Sequence, residues 1–320
     1  MKKYDIAAIG EMLIDFIPCG KSERGKTLLE PNVGGAPCNV LAMASRLSKK
    51  TAFIGKVGAD SFGEMLINAA DRAGIFTGGV IKDESAFTTL AFVNLTEDGD
   101  RSFSFARKPG ADTRLTADEI PKEILKDTKI FHFGTLSMTD EPAKSATKEA
   151  VTLAKKGGAL VSFDPNIRPL LWKDINDAKK AMEWGFENAD ILKISDDEIA
   201  LSTGEGDILR ALEILSDAHK NLRLIFVTLG KNGSILKYGS SVRKCASPKV
   251  NTIDTTGAGD TFMGACLSFI ADKGLDFTDE ELCGAVRFAS AAAAIVTTRK
   301  GAIESMPEKG EVLALLNEWK

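Results

Sequence analysis

Apolar and polar positions along this chain follow two different periods. Six short runs, "YDIAAIG", "TAFIGKVG", "KIFHFGTL", "ALVSFDPN", "DILKIS" and "RLIFVTLG", are apolar at almost every position and end at glycine or polar residues. Continuous apolar runs of this length predict strands buried on both faces. Between them, segments such as 141–156 and 207–220 carry apolar residues at helical spacing. The alternation predicts an α/β fold, a mostly parallel central sheet with helices on both faces. Ligands of such sheets gather at the carboxyl ends of the strands. This chain places Gly10-Glu11, Asp164-Pro165-Asn166, Ser195-Asp196-Asp197-Glu198 and Thr228-Leu229-Gly230 at those ends.

Two segments break the rhythm. Residues 87–107, "FTTLAFVNLTEDGDRSFSFAR", form two alternating runs about Glu97-Asp98-Gly99-Asp100 and predict a hairpin with an Asp-Gly turn. "EMLIDFIPCG", residues 11–20, is a second extended piece. Together they predict a small antiparallel β lid, formed by segments inserted at about 11–33 and 83–112 of a single domain spanning 1–320. Lid edges with one apolar face pair readily with a second copy, so a homodimer through the lid is expected.

Composition narrows the partners. With 320 residues, 44% hydrophobic and 27% charged, the chain can bury a substantial core. A net charge of −4 without a long basic run points away from nucleic acid and membrane surfaces and toward small molecules. Cys19, Cys38, Cys245, Cys266 and Cys283 show no CxxC spacing, which fits a reduced, cytoplasmic protein. Glu11 and Asp15 interrupt the N-terminal apolar run, so no signal peptide is expected, and no stretch is long and apolar enough to span a bilayer. The two histidines, His132 and His219, lack zinc-ligand spacing or a nucleophile signature, which removes the zinc-enzyme and triad-hydrolase classes. His132 reads as a hydrogen-bonded core residue and Cys38 as a packing residue.

Candidate chemistry lies in two glycine-rich stretches. In "DTTGAGDTFMG", residues 254–264, Gly257-Ala258-Gly259 open a helix whose first amides and dipole suit a phosphoryl group. Asp260, one step further, is placed to take a proton from a hydroxyl beyond that group. The same glycines also serve as ordinary helix punctuation, and a first-turn aspartate is favoured by the dipole alone. No GxxxxGK[ST] occurs, and the third glycine of GxGxxG is missing, so Walker-type kinases and dinucleotide dehydrogenases are poorly supported. In "NVGGAPCNVLAMASRLS", Gly34-Gly35 precede a helix carrying Asn39 in its first turn, an arrangement suited to a polyhydroxylated ligand or simply to starting a helix.

Taken together, "GEMLIDF", "GGAPCN", "FDPNIRP", "KISDDE", "VTLGKNG", "DTTGAGD" and "AAAAIVTTRKGA" resemble, in order and spacing, the ribokinase-like sugar kinases, also called the phosphofructokinase B family. "GEMLIDF", "GGAPCN" and the pair "FARKPGAD" with "FDPNIRP" most resemble the fructokinases of that family.

The resemblance implies an ATP:sugar phosphotransferase with Asp260 as catalytic base and Gly257, Ala258 and Gly259 as the anion hole. Asp15, Gly34, Gly35 and Asn39 then bind the sugar, with Arg107 and Arg168 near the substrate or product phosphate. Lys193, Ser195, Thr228, Gly230, Gly233, Gly259 and Ser290 fall where the family contacts the nucleotide. The family's Asn-x-x-Glu motif reads Ser195-Asp196-Asp197-Glu198 here, so a water-mediated magnesium role rests on Glu198. Many relatives hold a potassium ion, whose matching residues are Asp254, Thr256, Val296, Arg299, Gly301 and Ser305. Fructose is the implied acceptor. Alternatives are 2-keto-3-deoxygluconate, for which Arg107 plus Arg168 would suit the carboxylate, ribose or a nucleoside. A sugar-sensing protein that has lost catalysis is the non-enzymatic alternative, against which the intact Asp260 argues.

Overall fold

A computed structural model describes residues 2–95 and 101–319. Thirteen strands lie in these residues. They are β1 (Tyr4–Ile9), β2 (Leu13–Lys21), β3 (Thr27–Gly34), β4 (Thr51–Gly58), β5 (Ile75–Asp83), β6 (Leu90–Leu95), β7 (Arg101–Ala106), β8 (Thr128–Gly134), β9 (Leu160–Asp164), β10 (Ile191–Ser195), β11 (Leu224–Thr228), β12 (Ser234–Tyr238) and β13 (Ser241–Cys245).

Nine strands form the main sheet in the order β13-β12-β11-β10-β9-β8-β1-β4-β5. The six runs expected from the sequence are its contiguous middle, β11 through β4, and all pair in parallel. Alternate residues of each strand feed opposite faces. On β1, Ile6 and Ala8 join a cluster under the helices Ala36–Arg46, Ala258–Lys273 and Asp279–Val296, whereas Ala7 and Ile9 join one under Ala143–Lys156, Ile175–Asn188 and Ile208–Ala218. Two-sided burial is why these strands read as unbroken apolar runs. At one edge β12 and β13 turn back antiparallel.

The remaining four strands form a second sheet, β3-β2-β6-β7. It consists of two hairpins, β2–β3 and β6–β7, lying within the two segments expected to form a lid. The expected antiparallel pattern holds inside each hairpin but not between them. Ile14, Asp15 and Phe16 pair in parallel with Leu90, Ala91 and Phe92. Each hairpin leaves the body from the carboxyl end of a parallel strand, so their first strands run the same way. The turn expected at Glu97-Asp98-Gly99-Asp100 lies outside the described residues.

Candidate active site

Gly257 caps the helix Ala258–Lys273 with φ 77°, a left-handed value that favours glycine, and a side chain there would crowd the Ala302 Cβ at 2.9 Å. Among the described residues the Ala258 amide turns back to the Thr255 carbonyl at 3.3 Å, whereas the Gly257 and Gly259 amides meet no acceptor outside the helix. With the helix dipole behind them, they make a concentrated patch of positive potential.

Asp260 follows in the first turn, 9% exposed. Its Oδ2 accepts a hydrogen bond from Asn39 Nδ2 at 2.8 Å, so residues 221 positions apart meet at one point. Burial pushes the Asp260 pKa up to about 6. The Asn39 hydrogen bond opposes that rise, the Asp164 charge adds to it, and Lys193 and Arg168 oppose it. Asn39 is carried on a helix that opens after Gly35, whose φ of 124° brings its Cα against the Glu11 carbonyl oxygen. Asn39 Oδ1 is buried without a partner among the described residues.

Lys193 on β10 reaches the other side of the helix opening, and a Cβ at Gly259 would lie 2.9 Å from its Nζ. Burial alone would lower the Lys193 pKa, but Asp164, Glu198 and Asp260 outweigh it and hold the ammonium above its ordinary value. Asp164, at the end of β9, pairs with Lys193 at 2.8 Å. Nothing in the local sequence marked that partnership.

Asp15 lies on β2 in the second sheet, and a Cβ at Gly34 would stand 2.6 Å from its Oδ2. Burial raises its pKa to about 6, with the Arg168 charge opposing and Asp254 adding. The exposed Arg168 therefore acts on both Asp15 and Asp260.

Other expected residues are engaged differently. Arg107 is buried and committed to the protein: its guanidinium bonds Asp112 at 2.8 Å, Thr139 Oγ1 at 2.8 Å and the Leu136 carbonyl at 2.9 Å. It ties the foot of the second hairpin to the body instead of reaching for a ligand. Glu198 closes a capping box, accepting from the Ser195 amide at 2.9 Å and hydroxyl at 3.0 Å, while its Oε1 takes the Ile167 amide at 2.7 Å. It thereby fixes the turn that carries Arg168.

Gly233, at φ 91°, is demanded by sheet packing, because a side chain would overlap the Cys245 carbonyl. Gly230 has φ 53° and open space where a side chain would be, and Thr228 Oγ1 points to the Ile194 carbonyl at 3.5 Å. Ser290 is buried on the helix Asp279–Val296.

Asp254 gathers a separate loop. It accepts from the Thr256 amide (3.0 Å) and hydroxyl (2.7 Å) and from the Gly301 amide (3.3 Å). The Val296 carbonyl takes the Arg299 amide at 3.2 Å, and the Arg299 side chain pairs with Glu311 while approaching the Ser305 carbonyl at 3.5 Å.

His132 bonds Ser162 Oγ at 2.9 Å, and burial lowers its pKa to about 3, so it is a neutral core residue. Cys38 is fully buried, and burial pushes its thiol up to about 12, so it packs. Among the described residues no helix is long and apolar enough to cross a membrane. Glu11, which sequence reasoning passed over, is a buried carboxyl that accepts the Ala36 amide at 2.9 Å and that burial pushes up to about 7. Its only sequence signal was an acid between apolar strands.

A buried carboxyl in the first turn beside an amide-lined helix opening is a geometry that suits phosphoryl transfer to an alcohol. The chain belongs to the pfkB family of carbohydrate kinases, whose model matches residues 3–309. Among curated relatives, fructokinase-2 of Solanum lycopersicum is 41% identical over 316 residues, covering 97% of this chain and 95% of that protein. A fructokinase from Xylella fastidiosa solved with bound ATP superposes with a TM-score of 0.91 at 31% identity, covering 99% of each chain. A fructokinase from Vibrio cholerae O395, solved with fructose, ADP and calcium ion, gives a TM-score of 0.88 at 31% identity over 97% of this chain and 98% of that one.

Proposed function

We propose that the chain is an ATP-dependent fructokinase, converting D-fructose and ATP to D-fructose 6-phosphate and ADP. One observation carries the mechanism: the Asp260 carboxylate sits in the first turn of a helix at whose opening the Gly257 and Gly259 amides meet no acceptor outside the helix, so base and anion hole lie side by side. In this reading Asp15, Gly34, Gly35 and Asn39 seat the sugar, and Asn39 steadies the carboxylate that receives the hydroxyl proton. In the stretch Gly257-Ala258-Gly259 the two glycine amides are offered to charge growing on the transferred phosphoryl, Ala258 would join them by giving up its bond to Thr255, and Lys193 lies beside them. Ser195, Thr228, Gly230 and Ser290 lie on the strand-end and helix surfaces assigned to the nucleotide, while Gly233 shapes the turn.

The donor set fits the expected ions. Glu198 retains carboxylate lone pairs for a magnesium-bound water, and magnesium would neutralise phosphate charge. The loop gathered by Asp254 presents backbone oxygens near Thr256, Val296, Gly301 and Ser305, the hard donors a potassium ion takes, while Arg299 braces that loop. With Arg107 bonded to Asp112, Arg168 is the cation left facing Asp15, which favours a neutral sugar over a sugar acid. The two-hairpin sheet serves as the lid of one domain spanning 1–320, residues 11–33 and 83–112 supplying it. Leu28 and Leu29, 45% and 42% exposed on β3, support a homodimer through it, and the location is the cytoplasm.

A panel of fructose, ribose, 2-keto-3-deoxygluconate and nucleosides, read by ADP release with magnesium and potassium present, tests the assignment. Fructose is expected to be turned over with the highest kcat/KM. Sugar binding by calorimetry with no ADP formed would instead identify a sensing protein. Because the base must be ionised, kcat is expected to be full above neutral pH and to fall as pH drops through about 6, the raised Asp260 value. A kcat profile flat down to pH about 4.5 would remove Asp260 from that role.

A further inference from the structure

Asp164 closes β9, and the parallel register pairs Ile191 with Ser162 and Leu192 with Phe163. The next step along that register brings Lys193 beside Asp164. Nζ and Oδ2 meet at 2.8 Å, with the two side chains only 8% and 3% exposed. On its far side the same ammonium lies against Gly259, where a Cβ would stand 2.9 Å from Nζ. One cation is therefore held between a carboxylate behind it and the amide-lined helix opening in front. The second oxygen of Asp164, Oδ1, is buried and has no hydrogen-bond partner among the described residues.

Stability does not explain the pair. A buried ion pair is typically no better for folding than apolar side chains of the same volume, and a buried acceptor without a donor is unfavourable. The neighbouring positions, Phe163, Leu192 and Ile194, are fully buried and apolar, so packing alone asks for no charge here. The other charged groups acting on Lys193 come from two neighbouring helices. Asp260 lies on the helix Ala258–Lys273 and Glu198 on the helix Asp196–Thr203, while Arg168 follows β9 and acts on Asp260. His132 on β8 is neutral and adds none.

We infer that Asp164 is a positioning residue for phosphoryl transfer: it anchors the Lys193 ammonium against Gly259 and so keeps that cation from closing an ion pair with the base, Asp260. The inference rests on the kinase reading given above. If Asp164 is lost, the carboxylates left near Lys193 are Glu198, already engaged by three donors, and Asp260, which has one. The lysine then turns toward Asp260 and occupies the oxygen that should accept the hydroxyl proton.

Two variants test this, Asp164→Asn and Asp164→Glu, the second retaining the ion pair while pushing the ammonium about 1 Å forward, a displacement large enough to matter for catalysis. In each, kcat is expected to fall about tenfold or more while the fructose KM stays within about twofold. The titration midpoint of the Asp260 carboxyl, followed by carbon-13 NMR, is expected to move down by about half a pH unit or more. Should Asp164→Asn not fold, Asp164→Glu provides both readings. Loss of the Asp164 charge by itself lowers the Asp260 midpoint in Asp164→Asn, so the deciding reading is Asp164→Glu, which keeps that charge: a folded Asp164→Glu variant with wild-type kcat and an unmoved midpoint overturns the inference. Failure of the wild-type protein to phosphorylate fructose would count against the sugar assignment alone, because the NMR midpoints need no substrate.

Discussion

Asp260→Asn is expected to lower kcat by about 10²–10⁴ while leaving the sugar KM within a few-fold. The substitution keeps the shape of the side chain and an oxygen that Asn39 can still hold, so it removes the proton acceptor and little else. In the proposed mechanism, turnover that remains would come from the amides of Gly257 and Gly259 and from Lys193, which would act on phosphate charge and not on the hydroxyl. A second measurement separates chemistry from damage. Burial lifts the Asp260 pKa from 3.8 to about 6, so keeping the ionised carboxylate buried above neutral pH costs the fold on the order of 2–3 kcal/mol. The sign follows from that direction: stability from this group is full below the unfolded value and is lost as pH rises through about 6. The amide variant should therefore melt at the same temperature as wild type or higher at pH 8. A variant that loses activity and also melts early would show that the effect came from a disturbed fold.

Gly35→Ala is expected to be the most damaging single-methyl addition near the sugar seat. At φ 124° an alanine is strained by about 1–3 kcal/mol, and its Cβ would overlap the Glu11 carbonyl oxygen. Relief requires the junction of β3 with the following helix to move, and that helix carries Asn39, which holds Asp260. Urea unfolding should show a lower midpoint, and fructose KM should rise about tenfold or more as kcat also falls, because both the seat and the base are displaced. Unchanged unfolding and unchanged KM together would mean that the backbone here is relaxed and that Gly35 does not set the position of Asn39.

The central sheet was legible because its strands are covered on both faces, and two-sided burial writes an unmistakable apolar run. The strands that escaped notice lie at the edges. β5 carries Thr77-Gly78-Gly79 in its middle, and its pairing with β4 shifts register, so no clean period survives. In β13 the central Val242, Arg243 and Lys244 are all exposed, and the pattern reads as a loop. The opening of the helix Ala258–Lys273, proposed as the anion hole, was legible because the left-handed φ of Gly257 favours glycine and the helix dipole favours an acid in the first turn.

Partnerships across the sheet were another matter. Asp164 and Lys193 lie 29 positions apart and become neighbours only through the strand register. Arg107 is the converse case: its resemblance-based ligand role left no hint that Asp112, Thr139 and the Leu136 carbonyl each take one of its donors. Residue type gives an arginine's capacity, and only three-dimensional placement reveals which acceptor takes it.

The parallel seam joining Ile14, Asp15 and Phe16 to Leu90, Ala91 and Phe92 dictates an order of assembly. Its two halves are separated by β4, β5 and two helices, so closing the seam bears a large entropy penalty until those elements have docked. The two-hairpin sheet is then expected to be the last part of the molecule to mature, after the central sheet has formed. A chain weakened only at that seam would be expected to keep its folded central body, yet to lose half of the proposed sugar seat.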